Sequence, residues 1–95
     1  MSTPALFWWH MSQNLKKQDG VKRAKAALST TAVGKLKSDS DGATLISQDF
    51  IATIKCLPQD SNSILTIIIV AGNDGKETKG VMEGLRTGMQ KGIFD

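Results

Sequence analysis

Apolar and polar positions change their period several times along this chain, and each change marks an element. In "ALFWWHM", residues 5–11, aromatics suit a pleated, half-buried surface, so the run reads as a short strand. Alternation then sets Phe7 and Trp9 on one face and Trp8 and His10 on the other. The polar stretch "SQNLKKQDG" reads as a loop. From Val21 the period becomes helical: "VKRAKAALSTTA" groups Val21, Ala24, Ala27 and Leu28, with Lys22, Arg23 and Lys25 elsewhere on the wheel. Asp19 is the expected N-cap, and Gly34 lies at or just past the end.

The second half returns to the period of a strand. "GKLKSDSDGATLISQ" holds a turn, "SDSDG", between Leu36 and Leu45–Ile46, and reads as a hairpin with modest strands. In "DFIATIKCLP" the residues Phe50, Ala52, Ile54 and Cys56 share one side, Ile51, Thr53, Lys55 and Leu57 the other, and Pro58 stops the run. "ILTIIIVAG" is apolar on both sides and β-branched, the mark of a strand inside its sheet. Asn73 or Asp74 then caps a helix whose stripe is Val81, Met82, Leu85 and Met89. The expectation is an α+β fold: an antiparallel sheet of about four strands, two helices packed on one face, order β-α-β-β-β-α. The whole chain, 1–95, reads as a single domain. Within it 1–19 form an N-terminal strand and loop or arm, and 20–92 form helix, β-meander and helix.

Charge adds an asymmetry to this picture. Residues 1–37 carry seven cations against one acid; residues 38–95 carry five against eight, and the total is +3. The basic half, with Lys16, Lys17, Lys22, Arg23 and Lys25 near Trp8 or Trp9, suggests nucleic acid or another polyanion, since single-strand binders join stacking faces to a basic groove. The competing reading is a solvated helix face, and no RNA-binding motif supports the sharper one. No stretch approaches the ~20 apolar residues of a membrane span. Residues 4–11 lack the basic flank and cleavage pattern of a signal peptide. The expected class is therefore soluble: periplasmic or secreted if a leader was removed, otherwise cytoplasmic.

Candidate chemistry is sparse. Cys56 is the only cysteine and His10 the only histidine, so cysteine-pair and histidine-rich metal sites are excluded; no metal or cofactor is expected. "VAGNDGKETKG" opens a helix after a strand as a phosphate loop would, but Val70 replaces the upstream glycine and Glu77 stands where Ser or Thr must bind magnesium. A Cys56–His10 nucleophile pair is the remaining enzymatic arrangement, set against a buried thiol that acts as a small hydrophobe. No carboxylate pair stands out for acid–base work, and the reading is non-enzymatic. Gly80, Gly84, Gly88 and Gly92 recur every fourth residue. Each costs a helix interior ~1 kcal/mol relative to Ala, so the ridge is expected either to pack closely inside the domain or to meet a second copy.

The segments "GVKRAKAAL", "ATIKCLP" and "ILTIIIVAGND" with its following helix resemble a family of small bacterial domains. There a helix with an R-A-x-x-A-L core precedes a β-meander ending in I-[RK]-C and a V-A-G-x-[DN] turn. The resemblance covers roughly residues 20–92 and implies an α-β-meander-α fold, usually secreted or periplasmic, with no assigned activity and no catalytic residue to transfer. The family often has a cysteine just before the R-A pair; Val21 and Lys22 stand there, which leaves Cys56 without that partner. "ALFWWHM" lies outside the matching region. The overall expectation is a small non-enzymatic interaction or accessory domain. Its surfaces to test are Trp8, His10 and the glycine ridge, and its partner is an unknown protein or a second copy of itself. Polyanion binding through the basic half is the alternative.

Overall fold

The structure, a computed structural model, describes residues 4–92. The elements run β1 (Ala5–Gln13), α1 (Lys17–Thr31), β2 (Lys35–Ser38), β3 (Gly42–Ile46), β4 (Phe50–Asp60), β5 (Ser63–Gly72) and α2 (Gly75–Lys91). All the strands join one antiparallel sheet in the order β1-β5-β4-β3-β2. The α+β class and the antiparallel sheet agree with the sequence, but the strand count does not. Among the described residues there are five, in the order β-α-β-β-β-β-α. The extra strand comes from the hairpin, whose first arm, β2, is exposed at every position and so has no buried stripe to announce it. Backbone pairing with β3, and Leu36 opposite the buried Leu45, hold it in place.

Three boundaries also shift. β1 continues to Gln13, and α1 starts at Lys17, so the expected loop shrinks to a few residues. Lys16, not Asp19, is the N-cap; its side chain makes no capping bond, and Asp19 sits in the first turn, where its charge suits the helix dipole. β4 runs through Pro58 to Asp60, with an irregularity in pairing between those two residues that accommodates the missing N–H.

One core lies between the sheet and the two helices. Ala43, Leu45, Ala52, Ile54, Cys56, Ile64, Ile68 and Val70 form its floor; Ala24, Ala27 and Leu28 of α1 and Met82, Leu85 and Met89 of α2 close it. α1 lies mainly over β3 and β4, α2 over β1 and β5, and the helices touch each other. Burial of each large side chain here stabilises the fold by ~1.5–3 kcal/mol. Gly20 lets α1 descend onto the sheet: a Cβ there would press on Ile64 and lie 3.2 Å from the Cys56 Sγ.

A polar clasp ties β1 to this body. The buried Thr66 hydroxyl donates to Gln13 Oε1 at 2.6 Å, and Gln13 Nε2 donates to the Met89 carbonyl at 2.8 Å. Arg23 donates to the same carbonyl at 3.0 Å. That carbonyl lies in the last turn of α2, where a cation is favoured. The helix then closes on Gly92, which is left-handed at φ 61 and returns its N–H to the Gly88 carbonyl.

Candidate functional site

Each strand of a sheet shows alternate residues to opposite faces, and residues paired across strands share a face. The register therefore assembles the face away from the helices row by row. One row is Leu6, Ala71, Ile51, Ile46 and Lys35; the next is Trp8, Ile69, Thr53, Thr44 and Lys37. Then follow His10, Ile67, Lys55 and Gly42, and finally Ser12, Leu65 and Leu57. On this face β5 is apolar throughout, while β1 and β4 each show two apolar and two polar residues. Leu6 is 65% and Trp8 64% exposed, and Ile51, Ile69, Leu57 and Ile46 are also open. Together these side chains leave roughly 600 Å² of apolar surface uncovered, at the upper end of what a monomer's largest patch shows.

Trp8 and His10 sit side by side on this face with their rings stacked, centroids 5.4 Å apart and planes at 11°. Trp9 is on the helix side, under the Arg86 guanidinium, which lies 4.7 Å above its ring centroid. Phe7 packs against the core from the same side. At the end of the outer face near Leu6, the loop from Ser47 to Asp49 walls a shallow depression of about 510 Å³ over Ala71 and Ile51.

The basic residues expected to join the tryptophans do not. Lys17, Lys22, Arg23 and Lys25 belong to α1 and Lys16 is its N-cap, so the sheet stands between this helix and Trp8, and the cation over Trp9 on the helix side is Arg86 of α2 instead. Lys17 pairs with Asp41 at 2.6 Å, and Arg23 is engaged at the end of α2. Lys16, Lys22 and Lys25 are exposed. Lys17 and Lys25 border a depression of about 550 Å³, but Asp39 shares its rim. The cations on the outer face are others: Lys35 and Lys37 at the β2 edge, and Lys55, whose ammonium is paired with Asp39. That bond, with the Asp41 and Gly42 backbone N–H groups, holds the Asp39 carboxyl below its ordinary value.

The glycines every fourth residue do not form one contact. Gly80 and Gly84 are exposed, with no neighbour where a Cβ would stand; Gly88 is buried, and Gly92 is the C-cap. A step of four residues advances ~40° around a helix of 3.6 per turn, so the three steps from Gly80 to Gly92 turn ~120° and its ends do not share a face.

Cys56 lies in the core beneath α1, whereas His10 stands on the opposite side of the sheet in another strand. The pair cannot meet. Burial pushes the thiol up to about 11, which keeps it protonated at neutral pH. Among the described residues no group of three or more His, Cys, Asp or Glu side chains is placed to hold a metal. Nor is any helix among them long and apolar enough to cross a membrane. Gln13 is the residue that sequence reasoning missed; continuing the β1 alternation inward past Met11 would have placed it on the core side. Compared with known families, curated proteins and solved structures, the chain matches none.

Proposed function

We propose that the domain is a non-enzymatic binding module whose working surface is the outer face of the sheet, with Trp8 and His10 on its β1 side. One observation carries this: β5 turns Leu65, Ile67, Ile69 and Ala71 outward, against the polar alternation of a sheet face that stays in water. Flanking Leu6, Trp8, Ile51 and Leu57 make the surface continuous across three strands. A face built this way works by being covered.

The test exploits the difference between a surface kept for binding and one kept for stability. Ile51→Thr, Leu57→Thr and Ile69→Thr alter exposed groups, so each should change unfolding free energy by no more than ~0.5 kcal/mol. The dilute native protein should bind an apolar fluorescent dye, and the triple variant should lose most of that signal. Losses of several kcal/mol, with no dye bound by the parent chain, would show instead a structural surface. The alternative, polyanion binding through Lys16, Lys17, Lys22, Arg23 and Lys25, has less support because those cations lie apart from the aromatic pair. Oligonucleotide binding that weakens steeply with salt and falls on Lys22→Glu plus Lys25→Glu would favour it.

A further inference from the structure

Resting on that reading of the outer face, we infer that what covers it is a second copy of this chain, packed sheet against sheet about a two-fold axis. The dimensions support a sheet as the occupant. The row of Leu6, Ala71, Ile51 and Ile46 is apolar over four strands, from β1 to β3, roughly 15 Å across. A single helix, about 10 Å wide with its side chains, leaves part of that width open. Another sheet, stacked ~10 Å away and aligned within about 30°, covers all of it.

The area supports a copy. The open apolar side chains, with the polar groups between them, approach the ~800 Å² that each partner contributes to a standard interface. The face also complements itself. A two-fold running along the strands between β4 and β5 lays β5 of each copy over β4 of the other, and β1 over β3. The bulky Trp8 of the Trp8–His10 stack then meets the smaller Thr44, which leaves β3 low at that row, and His10 lies over Gly42, which is already covered within its own chain. Leu6 meets Ile46. β2, carrying Lys35 and Lys37, falls outside the overlap and forms a wet rim, while Lys55 on β4 lies inside it, opposite Ile67 of the other copy, with its ammonium neutralised by Asp39. Single-stranded nucleic acid fits less well, because the aromatic pair and the β2 lysines occupy opposite edges of the sheet.

Sedimentation of the intact chain over a wide concentration range tests this. A dimer is expected. Ile69→Lys, which places an unpaired charge at the centre of the interface twice over, should raise its dissociation constant at least a hundredfold, and Trp8→Lys, which removes the ring that fills the β1 side, at least tenfold. Circular dichroism checks that the variants fold; if Ile69→Lys does not, Ala71→Glu, at an exposed position, replaces it. Lys22→Glu on α1 should leave the dimer unchanged. Trp8→Cys chains mixed with Thr44→Cys chains should be joined by a short bis-maleimide, and the parent chain, whose one thiol is buried, should not. A monomer at every concentration overturns the inference. So does a dimer that survives Ile69→Lys, or one lost when Gly84 on α2 is enlarged. A monomer whose outer face still binds the dye would sink the second copy alone and leave the binding-module reading standing.

Discussion

Replacing Gln13 tests the polar clasp that holds β1, and with it one side of the outer face. Gln13→Met keeps the side chain's length and removes its amide. Two hydrogen bonds disappear, to the Thr66 hydroxyl at 2.6 Å and the Met89 carbonyl at 2.8 Å. The losses differ. The Met89 carbonyl keeps Arg23, so it forfeits an ordinary net bond of ~1 kcal/mol. Thr66 is fully buried, and its donor would be left only the Cys56 sulfur, a weak acceptor, at a further ~1–3 kcal/mol. The expected cost is ~2–4 kcal/mol, a large share of the stability of a domain this size. Thr66→Val removes the donor instead, and Gln13, only half-buried, can turn its amide to water; that change should cost ~1–2 kcal/mol. In the double variant there is no stranded hydroxyl, so the two effects should fall short of additivity by ~1–2 kcal/mol. Urea unfolding followed by tryptophan fluorescence and circular dichroism measures all four chains, with the denaturant slope unchanged. Additivity within ~0.5 kcal/mol, or a Gln13→Met cost below ~1 kcal/mol, would refute the clasp as an energetic unit.

Cys56 should resist alkylation in the native protein and react fully once unfolded. Its raised value also fixes a sign: the neutral thiol is stabilised by folding, so its contribution is complete below about pH 9 and is lost as pH rises toward 11. The parent chain should therefore lose ~2–3 kcal/mol more than Cys56→Ala across that window, and identical pH dependences would disprove it. Gly92→Ala puts a Cβ into a left-handed position and within 2.5 Å of the Arg23 guanidinium carbon. A loss of ~1–2 kcal/mol in thermal or urea unfolding is expected. Arg86→Ala should cost ~0.5–1 kcal/mol and change the emission of Trp9, read in a Trp8→Phe background. Unchanged emission would remove the cation from the ring.

Local periods made much of the architecture legible. Alternation alone put Phe7 and Trp9 on one face and Trp8 and His10 on the other, leaving open which pair meets the core, and separated Phe50, Ala52, Ile54 and Cys56 from Ile51, Thr53, Lys55 and Leu57. What escaped depends on contacts between distant residues. The first turn of α1, "KQDG", has no apolar stripe because only Gly20 of its four residues is buried, so the helix starts earlier than the pattern suggests. β2 has no buried residue at all. The outer face is a property of register: Trp8 beside Ile69, and Ile46 beside Ile51, are rows that no single strand contains. The two-sided apolarity of "ILTIIIVAG" was visible and consistent with an interior strand. It also signalled an uncovered face, but only the pairing partners reveal how far that face extends.

The position of β1 carries a consequence for how the chain acquires its fold. Residues 5–13 pair with β5 alone, Trp8 opposite Ile69, and their clasp reaches on to Met89. Loop closure over such separations is slow compared with the hairpins β2–β3 and β4–β5. During synthesis "ALFWWHM" leaves the ribosome before β5 and α2, and it waits until both have followed. For that interval it is an apolar, aromatic, β-prone segment without a charge to guard it, the kind that nascent-chain chaperones shield and that aggregation recruits. Of the five described strands, the one made first is completed among the last.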